Sequence, residues 1–123
     1  MLVGVLVAGA IMFSGAERKS APEIPAKENV TVRDNKQIIE LTAKGGYAPR
    51  VSKARAGLPT VLRFNTNGTF DCSSFVRIPS LNIAEILPNS GITDIDLGRP
   101  PVGTLQGTCG MGMYRFSVEF RPT

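Results

Sequence analysis

Three of the chain's six sulfurs lie within five residues, Cys109-Gly110-Met111-Gly112-Met113. In extended backbone, side chains at spacing i, i+2 and i+4 share one face, about 6.6 Å apart per step. The two interleaved glycines let the backbone bend so that the sulfurs converge. The second cysteine, Cys72, stands in the turn-forming stretch Gly68-Thr69-Phe70-Asp71-Cys72-Ser73-Ser74. Thiolate and thioether are soft ligands that select Cu(I), and by the same logic Ag(I), over hard cations. Two thiolates suffice for one Cu(I), and two added thioethers give room for a second with a shared sulfur. Zinc fits less well, because closed zinc sites are built from Cys and His.

Bland readings of the same sulfurs stand beside this one. Methionine often serves as adaptable core filler. Two cysteines in an exported domain commonly form a disulfide, and closing a long loop this way stabilises by a few kcal/mol. A dithiol redox enzyme is less compatible, since the pair is not C-x-x-C and no general base accompanies it. The Gly interleaving favours metal, because packed core positions seldom alternate with glycine.

The 123 residues include no His and no Trp, and the net charge is +4. Without imidazole there is no His-based acid/base catalysis, no Ser-His-Asp triad and no blue-copper centre of two His and one Cys. The chain therefore reads as a non-enzyme. Between Leu41 and Phe70 there are five bases, Lys44, Arg50, Lys53, Arg55 and Arg63, and no acid. Such a stretch suits an acidic partner or anionic lipid, or is an ordinary solvated surface. No aromatic cluster sits among the bases, which argues against nucleic acid as a partner.

Residues 1–16 carry no charge and are mostly apolar. As a helix they span about 24 Å, short of a bilayer core of about 30 Å, a gap that snorkelling or local thinning covers. They read as an uncleaved N-terminal membrane helix, with a cleaved signal peptide as the rival. Arg18 and Lys19 follow directly, and positive residues beside a membrane segment favour the cytoplasmic side for the rest of the chain. Residues 17–28 contain Pro22 and Pro25 and read as a semi-extended linker. One folded domain is expected over 29–123.

Within that domain the period is 2. Tyr114, Phe116, Val118 and Phe120 alternate with polar residues, as do Ile39-Leu41-Ala43, Leu62-Phe64 and Thr93-Ile95-Leu97. Turn signals separate the runs at Gly45-Gly46, Ala48-Pro49, Gly57-Leu58-Pro59, Asn67-Gly68, Asn89-Ser90-Gly91 and Arg99-Pro100-Pro101. The pattern predicts an all-β sandwich or barrel. Residues 81–87 fit a strand or one helical turn.

The chain resembles a cupredoxin over about residues 36–120. Lys44-Gly45-Gly46-Tyr47-Ala48-Pro49 is similar to the family's Gly-Tyr-x-Pro stretch. Ala56-Gly57-Leu58-Pro59 followed by Val61-Leu62-Arg63-Phe64 is similar to its approach to the next strand. Cys72 stands where the family places its first His ligand, and Cys109-Gly110-Met111-Gly112-Met113 stands in its ligand loop. Both His ligands are missing, which departs from the electron-transfer members. The pattern most resembles the membrane-anchored, His-free cupredoxin-fold Cu(I) chaperones of streptococcal copper resistance. That resemblance implies a Greek-key β-sandwich or barrel behind one membrane helix. It implies one or two Cu(I), with Ag(I) as a mimic, on Cys72, Cys109, Met111 and Met113. It also implies transfer to the metal-binding domain of a copper-exporting P-type ATPase, from a plasma-membrane protein whose soluble domain faces the cytoplasm. The competing expectation is an exported β-sandwich stapled by a Cys72–Cys109 disulfide, acting in adhesion or assembly.

Overall fold

Alternating apolar side chains force these short segments into strands that bury one face each, and two such faces pressed together make the core. The computed structural model describes residues 29–122. It contains ten strands and, among the described residues, no α-helix. They are β1 (Val30–Arg33), β2 (Lys36–Ala43), β3 (Tyr47–Ala48), β4 (Val51–Arg55), β5 (Thr60–Thr66), β6 (Phe75–Ile78), β7 (Ile83–Ile86), β8 (Gly91–Gly98), β9 (Gly103–Cys109) and β10 (Arg115–Arg121). The proposed membrane helix over 1–16 and the linker over 17–28 lie outside the described residues. No helix among the described residues is long and apolar enough to cross a membrane.

The strands form two mixed sheets. One runs β1-β2-β5-β8, with β3 added against β2; the other runs β4-β10-β9-β6-β7. β2 pairs in parallel with β5, and β10 in parallel with β4; the remaining ladders are antiparallel. The all-β expectation is met in the form of a sandwich. Ile39, Leu41, Leu62, Phe64, Ile95 and Leu97 of the first sheet face Ala54, Val76, Ile78, Leu105, Phe116, Val118 and Phe120 of the second. Of the two alternatives for residues 81–87 the strand is found, as β7 (Ile83–Ile86). A 3-10 turn, Pro79–Leu81, ends at Asn82 in the left-handed conformation, and β7 follows.

Five strands carry no clear signal in the sequence: β1, β3, β4, β6 and β9. In β4, Val51 points outward while Ser52 and Ala54 are buried, so the hydropathy alternation is inverted. β9 carries a single large aliphatic side chain, Leu105, and two glycines. At Gly107 a Cβ would fall inside the ring of Phe116 on the paired strand. The Phe116 ring in turn lies edge-on to Tyr47 at 5.0 Å and to Phe64 at 5.6 Å.

The five bases of 44–63 do not make one face. Arg63 pairs with Asp94 across the β5–β8 ladder at 2.8 Å. That pairing, through the hydrogen bond first, holds the Asp94 carboxyl below its ordinary range. Lys53 and Arg55 line a different surface from Lys44 and Arg50.

Candidate metal centre

Cys109 is the last residue of β9 and is fully buried. Its position is set by the tight reversal into β10. The Cys109 N–H donates to the Tyr114 carbonyl at 3.0 Å, and the Gly112 N–H donates to the Cys109 carbonyl at 2.9 Å. Gly112 sits at φ +75°, a left-handed turn that strains any side chain. Gly110 lies on Phe75 so closely that a Cβ there would overlap the ring. The glycines of the loop thus answer to backbone geometry and close packing.

Cys72 opens a 3-10 turn, Cys72–Ser74, and is half-buried. Asp71 caps that turn. Its carboxylate accepts from the Ser73 N–H at 2.9 Å and from the Ser73 hydroxyl. The same carboxylate accepts from the Gly45 N–H at 2.6 Å. These bonds, the Ser73 hydroxyl foremost, hold its pKa below the usual carboxylate range. Thr69 ties the same segment down by donating its buried hydroxyl to the Ala43 carbonyl at 2.6 Å. Asp71 therefore fixes the Cys72 turn against the Gly45-Gly46 turn. Asp-x-Ser is a local capping pattern that could have revealed this role in sequence.

The Cys72 turn leads directly into β6, the neighbour of β9 in the same sheet, and so the two cysteines meet. They are joined as a disulfide, with Cα atoms 5.6 Å apart. Each sulfur also has a backbone donor: the Met111 N–H lies 3.3 Å from Cys72 Sγ, and the Tyr114 N–H lies 3.5 Å from Cys109 Sγ. A backbone N–H aimed at sulfur is an arrangement that also suits a sulfur ligand to a metal. Reduced, the pair would offer two sulfur ligands from separate loops, the minimum set for Cu(I).

The methionines lie differently. Met111 touches the pair through its backbone, while its side chain is 80% exposed. Met113 is 64% exposed and lines a cavity beside Gly45 and Gly46. Neither is core filler. Both thioethers stand in solvent at the end of the sandwich where Phe70, 79% exposed, also projects. The structure thus brings Cys72 and Cys109 together and leaves Met111 and Met113 at the rim. Among the described residues no cluster of three or more His, Cys, Asp or Glu has the arrangement of a metal site. A metal centre here must rest on the cysteine pair with thioether help, a soft donor set matched to Cu(I).

Tyr47 supports the site from beneath. Its ring lies edge-on to Phe64 at 5.8 Å, and its hydroxyl has no hydrogen-bond partner among the described residues. Burial foremost, with the Asp71 charge second, raises its pKa.

No protein-family model and no curated protein matches this sequence. Solved structures do match. One is the metal-binding domain of the Cu(I)-exporting P-type ATPase CopA of Streptococcus pneumoniae D39, determined with Cu(I). It shares 20% identity at a TM-score of 0.68, over 75% of this chain and 92% of that one. Another is a copper-binding protein determined in solution in the apo form. It shares 18% identity at a TM-score of 0.69, over 75% of this chain and 94% of that one. The chain has a cupredoxin-like fold.

Proposed function

We propose that this protein is a Cu(I) carrier, with Cys72 and Cys109 as the tight ligands and Met111 and Met113 as weaker, exchangeable ones. The observation that carries the reading is the meeting of two cysteine sulfurs, each with a backbone N–H donor, beneath two solvent-exposed thioethers. A carrier must hold Cu(I) firmly and still release it. Thiolates exchange Cu(I) through shared-ligand intermediates, and rim thioethers give the ion a first or last stop. The copper stays Cu(I) throughout, so no catalytic group is required and the protein acts as a carrier, not an enzyme.

The same reading extends to the acceptor and the place. The fold shared with a Cu(I) ATPase's metal-binding domain supports handover to such a domain, one or two ions at a time. Phe70, Met111 and Met113 supply the apolar contact surface at the exchanging end. The apolar residues 1–16 would anchor the chain in the plasma membrane with the copper domain on the cytoplasmic side, where an exporter is loaded for copper resistance.

The disulfide favours a second reading, an exported sandwich in which the bond is permanent and staples an adhesion or assembly module. One experiment separates the two. The chain, reduced and oxidised in parallel, is titrated anaerobically with Cu(I) against a chromophoric Cu(I) chelator. The carrier reading expects the reduced chain to take one or two Cu(I) from the chelator and the oxidised chain to take none. Failure of the reduced chain to compete, with the thiols found oxidised in protein taken from cells, establishes the stapled module instead.

A further inference from the structure

Beside the rim methionine Met113 lies an open cavity of about 620 Å³, lined by Lys44, Gly45, Gly46, Arg50, Tyr114 and Arg115 among others. Three of its lining residues are cations, and none is an acid. Lys44, Arg50 and Arg115 are all exposed, and none forms an ion pair among the described residues. Asp71 borders the cavity through the Gly45 N–H, which donates to its carboxylate at 2.6 Å, and its one negative charge offsets only part of the three positive ones. Lys44 and Arg50 flank the short strand β3, and Arg115, remote from both in sequence, opens β10. Their convergence on one cavity next to Met113 is a product of the fold.

Cu(I) in a reducing solution travels bound to thiolates, and thiol-bearing small peptides carry carboxylates as well. We propose that the cavity receives the carboxylates of a small anionic peptide–thiolate complex of Cu(I), holding the donor while its copper passes to the cysteine pair. This rests on the Cu(I)-carrier reading and adds the class of molecule that loads it. In the exchange, Cu(I) leaves two donor thiolates for the thiolates of Cys72 and Cys109. The two protons of the cysteine thiols go to the departing thiolates, and no electron moves. Guanidinium groups suit carboxylates as paired donors, and a locally positive cleft raises the on-rate of an anion about 10- to 1,000-fold, an effect that salt screens.

The test uses the full reduced chain and its K44Q/R50Q/R115Q variant. Copper uptake is timed from two donors: Cu(I)–glutathione, which bears carboxylates, and Cu(I)–2-mercaptoethanol, which does not. The wild-type rate should exceed the variant rate about tenfold with the glutathione donor at low salt, and this ratio should fall in high salt. With the mercaptoethanol donor the ratio should stay near one. Equal ratios for both donors overturn the carboxylate site while leaving copper binding intact. If neither donor loads the wild-type chain, the carrier reading itself falls and takes this one with it. A copper-free measurement adds an independent check. S-methylglutathione at millimolar concentration should shift the amide resonances of Gly45, Gly46 and Arg115 in the wild type and not in the variant. Unmoved amides in the wild type reject the site.

Discussion

The two ends of this sandwich are closed by opposite chemistry. At one end the buried amide of Gln37 bridges the sheets. It donates to the Arg55 carbonyl at 2.9 Å and to the Thr60 hydroxyl at 3.1 Å, and its own carbonyl accepts from the Arg55 N–H at 2.9 Å. Every polar atom there has a partner, which is what a structural plug requires. At the other end the bridge is Cys72–Cys109, flanked by exposed Met111, Met113 and Phe70. Hydrogen-bonded amides gain nothing by opening. A cysteine pair does, because once a two-electron reductant has cleaved its disulfide the two sulfurs can hold a soft ion. One end is built to stay shut, the other suits the exchange proposed above, and large apolar side chains left in water mark it.

Substituting the cysteines should have the largest effect. C109S is expected to lower Cu(I) affinity by more than the 10–100-fold that loss of a supporting group costs, as read by chelator competition. Q37L should leave that affinity unchanged. A similar loss of copper in both variants would erase the distinction between the ends. The next effect concerns glycines at the exchanging end. G107A places a methyl inside the buried Phe116 ring and should cost about 3 kcal/mol in denaturant unfolding. G110A meets Phe75, which is 37% exposed and free to swing aside, so it should cost about 1 kcal/mol.

Q37L itself should cost about 2 kcal/mol, since it orphans the Arg55 N–H and carbonyl in a buried setting. A near-zero cost would mean the plug is dispensable. D71A removes the tie between the Cys72 turn and Gly45 and should cost about 1 kcal/mol. It should also weaken Cu(I) binding by about tenfold, the low end for a group that orients a ligand. The smallest effect lies on the sheet face between the ends. Asp94 should titrate below the ordinary carboxylate value of about 3.9, and R63Q should return it there, as followed by side-chain NMR. The sign follows from a folded pKa held low. Any stability from this pair is present above the ordinary carboxylate pKa and is lost as pH falls through the lowered one. Both side chains reach solvent, so screening keeps the gain small.

How much of this was legible depended on how residues face the core. β2, β5, β8 and β10 announced themselves because Leu41, Phe64, Leu97 and Phe116 are large and alternate with polar neighbours. β4 did not, because its inward positions are Ser52 and Ala54, the first of which accepts a buried hydrogen bond from the Asn29 amide at 2.9 Å. β9, a strand inside its sheet, was hidden by Gly107, whose missing side chain is the space that Phe116 occupies. The role of Asp71 became visible only when two distant turns, Gly45-Gly46 and Cys72–Ser74, were placed together.

The sequence by itself determined the chemistry. With no His and with sulfurs at 109, 111 and 113, a soft cation, a disulfide or plain packing remained for the sulfurs, and period-2 alternation determined a β-sandwich or barrel. Those are properties of residue type and local spacing, which a chain carries without folding. Tertiary structure alone decided that Cys72 reaches Cys109, that both thioethers face solvent, and that Lys44, Arg50 and Arg115 surround one cavity. Each depends on which strands become neighbours. Strand pairing is set by how whole faces pack, and a local pattern does not contain it.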